Sequence, residues 1–108
     1  MGEGQITPTC RQLISLARCI LTQPRILVLD EATSCLDSAR EHKIQKLLLE
    51  LLHQSTIITV AHRLSNVLQY DRVLVMGEGR ILEDGAPREL LKKPMGFFSS
   101  LYRQESKA

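Results

Sequence analysis

The sequence predicts an α/β fold with parallel strands, intervening helices and a C-terminal β-hairpin. Three observations predict it. RILVLD at 25–30 and STIITVA at 55–61 are short apolar runs of strand length, each leading directly into polar residues. A stretch with helical spacing lies between them, which is the pattern of a right-handed parallel crossover. Further on, RVLVM at 72–76 and RILE at 80–83 flank Gly77-Glu78-Gly79, the pattern of a hairpin with a three-residue loop.

In chain order, residues 10–21 (CRQLISLARCIL) set Leu13, Ile14, Ala17, Ile20 and Leu21 on one helical face. Thr9 is a candidate cap and Pro24 a stop signal. RILVLD then reads as a buried strand that closes on Asp30-Glu31. Ser38-x-x-Glu41 has the form of a capping box and opens a helix to about His53. Its apolar side carries Ile44, Leu47, Leu48, Leu51 and Leu52, a stripe that reads as core. STIITVA, rich in β-branched residues, reads as a second buried strand and runs into His62. Asn66 to Tyr70 read as a short helix, and Pro87 to Lys92 as another that stops at Pro94. In the tail, Phe97, Phe98 and Leu101 have helical spacing, and the final polar residues read as loose.

Composition narrows the function classes. At 108 residues the chain suits one small domain or part of a larger one. Aromatics make up only 4% and Trp is absent, so the core must be aliphatic. A net charge of +2, with both signs interspersed, gives no electrostatic footprint for nucleic acid or a membrane surface. Cys10, Cys19 and Cys35 are odd in number and widely spaced, as free thiols in a reducing compartment would be. His42, His53 and His62 share no metal-ligand spacing. No apolar run is long enough to span a bilayer, and MGEGQITPT lacks the basic start and apolar stretch of a signal peptide.

The chemistry gathers at the strand ends. In open parallel sheets ligands sit at the carboxyl ends of the strands, where Asp30, Glu31 and His62 all fall. An apolar strand that delivers Asp-Glu at its tip holds two carboxylates rigidly. One of them can bind Mg²⁺, and the other can orient and deprotonate a water. A lone strand-end histidine is more often structural; beside this acidic pair it reads as functional.

Residues 26–37, ILVLDEATSCLD, resemble the Walker B strand, catalytic glutamate and D-loop of ABC transporter nucleotide-binding domains. TVAHRL at 59–64 is similar to their switch-histidine loop, and residues 71–90 resemble the hairpin and helix that follow it. The resemblance covers nearly the whole chain and is strongest to the multidrug-resistance-associated branch, subfamily C. It implies a partial P-loop NTPase (RecA-like) core over residues 1–108, the C-terminal half of an ATPase domain. It implies ATP and Mg²⁺ as ligands, a second nucleotide-binding domain and transmembrane domains as partners, and a place on the cytoplasmic face of a membrane. Residue by residue, Asp30 would serve the metal, Glu31 would be the general base and His62 would contact the γ-phosphate. Ser34 and Asp37 would lie on the loop facing the partner domain.

The chain departs from the family pattern at two points. The phosphate loop G-x-x-x-x-G-K-[ST] is not in the sequence, since no Gly is followed by Lys. The resemblance places that loop upstream of residue 1. The signature, L-S-G-G-Q in the family, reads Ile6-Thr7-Pro8-Thr9-Cys10 here, just before Arg11-Gln12-Leu13. By position Thr7 and Thr9 would be its nucleotide contacts. Pro8 removes an N–H and Thr9 adds a side chain where glycine allows close approach, so the expected grip on phosphate is weak. Pro8 also suits a helix start.

The leading reading is a part of an exporter ATPase domain that is inactive as an isolated chain. A second reading is a non-catalytic half-domain that pairs with an intact nucleotide domain. A third is an ATPase head of the SMC type; the T-S-x-L-D and A-H-R-L stretches and the lack of heptads weigh against it.

Overall fold

In a computed structural model, residues 8–30 and 36–107 are described, with side chains from 11 to 30 and 36 to 106. The chain divides into two units, one ending at His62 and the other beginning at Arg63.

The first unit contains α1 (Pro8–Thr22), β1 (Ile26–Asp30), α2 (Ser38–Leu51) and β2 (Thr56–Val60). α1 starts at Pro8, whose fixed φ suits a first helical position. Thr9 therefore lies inside the helix, and the expected Thr9 cap is corrected. The helix ends where Gln23 takes φ +49. The Gln23 N–H donates to the Cys19 carbonyl at 3.1 Å and its side-chain amide donates to the Ile20 carbonyl at 2.7 Å. Those bonds hold a left-handed residue in the place glycine usually takes after a helix, just before Pro24. α2 is capped by Asp37 rather than Ser38. The Asp37 carboxylate accepts the Arg40 N–H at 2.8 Å, so the cap stands one residue earlier than the Ser38–Glu41 pattern suggested.

β1 and β2 pair in parallel, from Ile26 opposite Thr56 to Asp30 opposite Val60. Alternation then decides burial. Leu27 and Leu29 face a core of Leu16, Leu48 and Leu52, with Cys19, Ile20, Ile44 and Ile57 packed around it. Ile26, Val28, Ile58 and Val60 are exposed. The expectation of two buried strands thus holds for one sheet face only. The helices are corrected in the same way. α1 packs through Leu16, Cys19 and Ile20, whereas Leu13, Ile14 and Leu21 are exposed. α2 packs through Ile44 and Leu48, whereas Leu47 and Leu51 of the supposed core stripe are exposed.

The second unit contains a 3₁₀ helix, η1 (Leu64–Gln69), then β3 (Val73–Gly77), β4 (Arg80–Gly85), α3 (Pro87–Leu91) and α4 (Phe97–Lys107). β3 and β4 are antiparallel and joined by two residues, not three, because Gly77 pairs with Arg80. Glu78 at φ 50 and Gly79 at φ 74 make both turn positions left-handed, the two-residue turn that matches strand twist. The register shifts after Val75, leaving Leu82 as the extra residue of a bulge. Val67, Val75, Leu90 and Phe98 form the core, with Tyr102 packed against it, so the aliphatic core expected from composition is corrected here: Phe98 is fully buried. The Phe98 N–H donates to Glu83 at 2.7 Å, tying the start of α4 to β4. α4 runs to Lys107, so the tail expected to be loose is helical almost to its end.

Candidate functional site

β1 ends at Asp30, and β2 ends at Val60, two residues before His62. Because the strands are parallel and Asp30 pairs with Val60, both carboxyl ends come to the same edge of the sheet. There the His62 Nε2 lies 3.8 Å from the Asp30 Oδ1. That distance exceeds a hydrogen bond and is an electrostatic contact, attractive when the imidazole is protonated. The His62 side chain is 51% exposed and that of Asp30 70% exposed. Two residue types able to handle a phosphate and its metal therefore share one solvent-open sheet edge.

The other expected site residues divide as follows. Asp37 is described, and its carboxylate serves the start of α2: besides accepting the Arg40 N–H, it lies 3.6 Å from the Arg40 Nε. Thr9 lies in the first turn of α1, its side chain outside the described residues. Glu31, Ser34 and Thr7 also lie outside the described residues.

The donor set fits magnesium. Among the described residues no three His, Cys, Asp or Glu side chains form a metal cage. Mg²⁺ does not need one. It keeps several waters and takes one or two carboxylates together with substrate phosphates, and an exposed strand-end Asp30 can supply the carboxylate.

In the second unit, one contact carries no local sequence signal. The Leu64 N–H, at the start of η1, donates to both carboxylate oxygens of Glu105, at 2.9 and 2.8 Å. Arg63 is the N-cap residue and gives no side-chain cap of its own. The acceptor comes from 41 positions away, so no window of sequence shows the pair.

Among the described residues no helix is long and apolar enough to cross a membrane. No protein-family model matches the chain. Curated proteins do. The chain is 46% identical over 93 residues to the "ABC transporter ATP-binding protein/permease VMR1" of Saccharomyces cerevisiae, covering 86% of this chain and 6% of that protein. It is 44% identical over 96 residues to the "Alpha-hemolysin translocation ATP-binding protein HlyB" of Escherichia coli, covering 89% of this chain and 14% of that one. It is likewise 44% identical over 96 residues to "ABC transporter C family member 9" of Arabidopsis thaliana, covering 89% of this chain and 6% of the relative. The chain thus spans a small part of the curated proteins it matches. With similarity across almost its full length, the chain belongs to the ABC transporter ATP-binding domains, as part of one, with C-family members among its relatives.

Proposed function

We propose that this chain supplies the magnesium- and water-handling edge of an ATP-hydrolysing domain, within a P-loop NTPase core, in an exporter that couples hydrolysis to transport across a membrane. The observation that carries the reading is the 3.8 Å approach of His62 to Asp30 at the carboxyl ends of paired parallel strands. The ATP-binding names of relatives such as VMR1 and HlyB support it. Bound magnesium, held through Asp30, would neutralise charge on the phosphate oxygens. Glu31 follows directly on the strand end, and its carboxylate accepts the proton of the attacking water. The His62 imidazole donates to the γ-phosphate and keeps it in line with that water. Ser34 and Asp37 belong to the loop that meets a second nucleotide-binding domain. Thr7 and Thr9 belong to the altered signature, where Pro8 as first residue of α1 leaves one N–H fewer for phosphate.

The phosphate-binding loop G-x-x-x-x-G-K-[ST] is not in this sequence. The chain by itself therefore holds ATP weakly and turns it over poorly or not at all. Its place is the cytoplasmic face of a membrane, beside transmembrane domains. In a transporter containing this segment, Glu31→Gln should abolish turnover while ATP binding remains. A loss of about 10²-fold or more is expected of a general base. Turnover retained in that variant would remove Glu31 from the role.

A second reading is favoured by one observation. Ile26, Val28, Ile58 and Val60 leave one sheet face apolar and exposed, and Leu13, Ile14 and Leu21 do the same for α1. Surfaces of that kind serve association. The chain would then act as a non-catalytic half-domain docked on an intact nucleotide domain. In a mixture of the two, the intact domain's ATPase rate would change while the chain's own Glu31→Gln substitution had no effect.

A further inference from the structure

Side-chain burial alone does not select the register of β1 and β2. On β1, Leu27 and Leu29 define the inward face. On β2, Ile57 and Thr59 are half-buried, while Thr56, Ile58 and Val60 are exposed. A slip of one residue would turn Ile58 and Val60 inward, a more apolar pair than Ile57 and Thr59. Contacts outside the strand faces must hold the observed register.

Such contacts lie at the end of the sheet opposite Asp30 and His62, and Ser55 makes two of them. Its N–H donates to the carbonyl of the fully buried Leu52 at 2.9 Å. Its partly buried hydroxyl donates to the Pro24 carbonyl, on the turn from α1 into β1. The Thr56 N–H then donates to the Arg25 carbonyl at 2.8 Å, and the ladder continues from Ile26 opposite Thr56. One side chain thus ties the entry of β2 to the entry of β1, with the buried end of α2 behind it. Ser55, Pro24, Asp30 and His62 all belong to the first unit.

Register decides what happens at the other end. Asp30 pairs with Val60, so two further residues of alternation carry His62 to the face of Asp30. The 3.8 Å approach of the His62 Nε2 to the Asp30 Oδ1 agrees with that. A slip of one residue would move His62 about 3.3 Å along the strand and turn it to the opposite face.

We propose that Ser55 is the positioning residue of the Asp30–His62 edge: its hydroxyl pins β2 to Pro24 and so sets the register that brings the two side chains together. The use of that edge for nucleotide rests on the function proposed above, but the register is tested without nucleotide.

The test is NMR on the isotopically labelled 108-residue chain. Cross-strand contacts between Asp30 and Val60 report the register, and relaxation dispersion along residues 56–62 reports a slipped minor state. The change in His62 ring signals on Asp30→Asn reports the coupling of the two side chains, and the Leu48 and Leu52 methyls report the fold. In Ser55→Ala the slipped population should rise about fivefold, the worth of one such bond. Residues 56–62 should shift as a block, and the response of His62 to Asp30→Asn should shrink while the core methyls stay in place. Ser55→Thr, which keeps the hydroxyl, should restore wild-type behaviour. Ile58→Thr, which removes the apolar gain of the slipped form, should rescue Ser55→Ala. Should Ser55→Ala lose the core methyls, Ser55→Cys replaces it, with similar shape and a much weaker donor, and the same slip is expected. A single register with full Asp30–His62 coupling in these variants would overturn the proposal. So would a disturbance confined to residues 53–56, which would make Ser55 a structural tie only. Failure of Mg·ATP to perturb His62 at any concentration counts against the nucleotide reading alone and leaves the register result standing.

Discussion

Asp30 and His62 meet because of backbone pairing rather than attraction between them. The ladder from Ile26 to Asp30 against Thr56 to Val60 sets both strand ends level, and the side chains follow. Other acidic residues are committed elsewhere. Asp37 caps α2, so Asp37→Ala should cost about 1 kcal/mol, and Asp37→Asn much less. A thermal melt would show the first as a fall of roughly 4–8 °C for a domain of this size. Asp84 is bound by the Arg72 guanidinium through two hydrogen bonds, both at 2.7 Å. Those bonds hold its carboxyl below the usual range, with the opposing effect of desolvation and the further pull of the Arg72 charge behind them. The pair therefore supports the hairpin above the ordinary carboxylate value near pH 4, and that support fades as pH falls through the lower folded value. Asp84→Asn should lower the melting temperature slightly at neutral pH and flatten its acid-side decline by the same small amount, because the pair is exposed. An unchanged acid slope in Asp84→Asn would mean that the pair contributes nothing.

Element existence was legible and element faces were not. Helix, strand, helix, strand, hairpin and terminal helices all appear in the predicted order. Spacing puts Leu13, Ile14, Ala17, Ile20 and Leu21 of α1 inward; Ile20 does pack on the core, but beside Leu16 and Cys19 rather than Leu13, Ile14 and Leu21. Apolar residues ring much of that helix, so spacing alone could not choose which arc meets Leu27 and Leu29. The sequence pattern suggests a three-residue hairpin loop because Gly77 looks like turn material; pairing Gly77 with Arg80 shortens it to two. Both turn residues take positive φ, which Gly79 tolerates and Glu78 resists. Gly79→Ala should thus cost about 1 kcal/mol even though a Cβ there meets nothing within 4 Å. Glu78→Asn should stabilise the hairpin, since Asn-Gly is the favoured pair for this turn. Denaturant midpoints of the two variants should move in opposite directions. Contacts divide along the same line. The meeting of Asp30 and His62 was legible because both fall at strand ends, whereas the Leu64–Glu105 contact of the second unit was not, because its partners are 41 positions apart.

The described residues include two core clusters, one around Leu48 and Leu52 and one around Leu90 and Phe98. Each is small, so single truncations weigh heavily. Leu52→Ala should cost about 2–5 kcal/mol, against a total of about 5–15 kcal/mol for an ordinary domain. Hydrogen exchange should show the loss concentrated in residues 11–62 and much less in β3, β4 and α4. Under the proposed function the labour of ATP hydrolysis is divided: Asp30, Glu31 and His62 would handle magnesium and water, and the main grip on ATP would come from a phosphate loop that this sequence does not contain. Titrating the labelled chain with Mg·ATP, by NMR and calorimetry together, tests that division most directly. Binding no tighter than about 1 mM is expected, with the strongest shifts at Asp30 and His62 and their loss in Asp30→Ala. Micromolar binding, or shifts centred on the 73–85 hairpin, would contradict it.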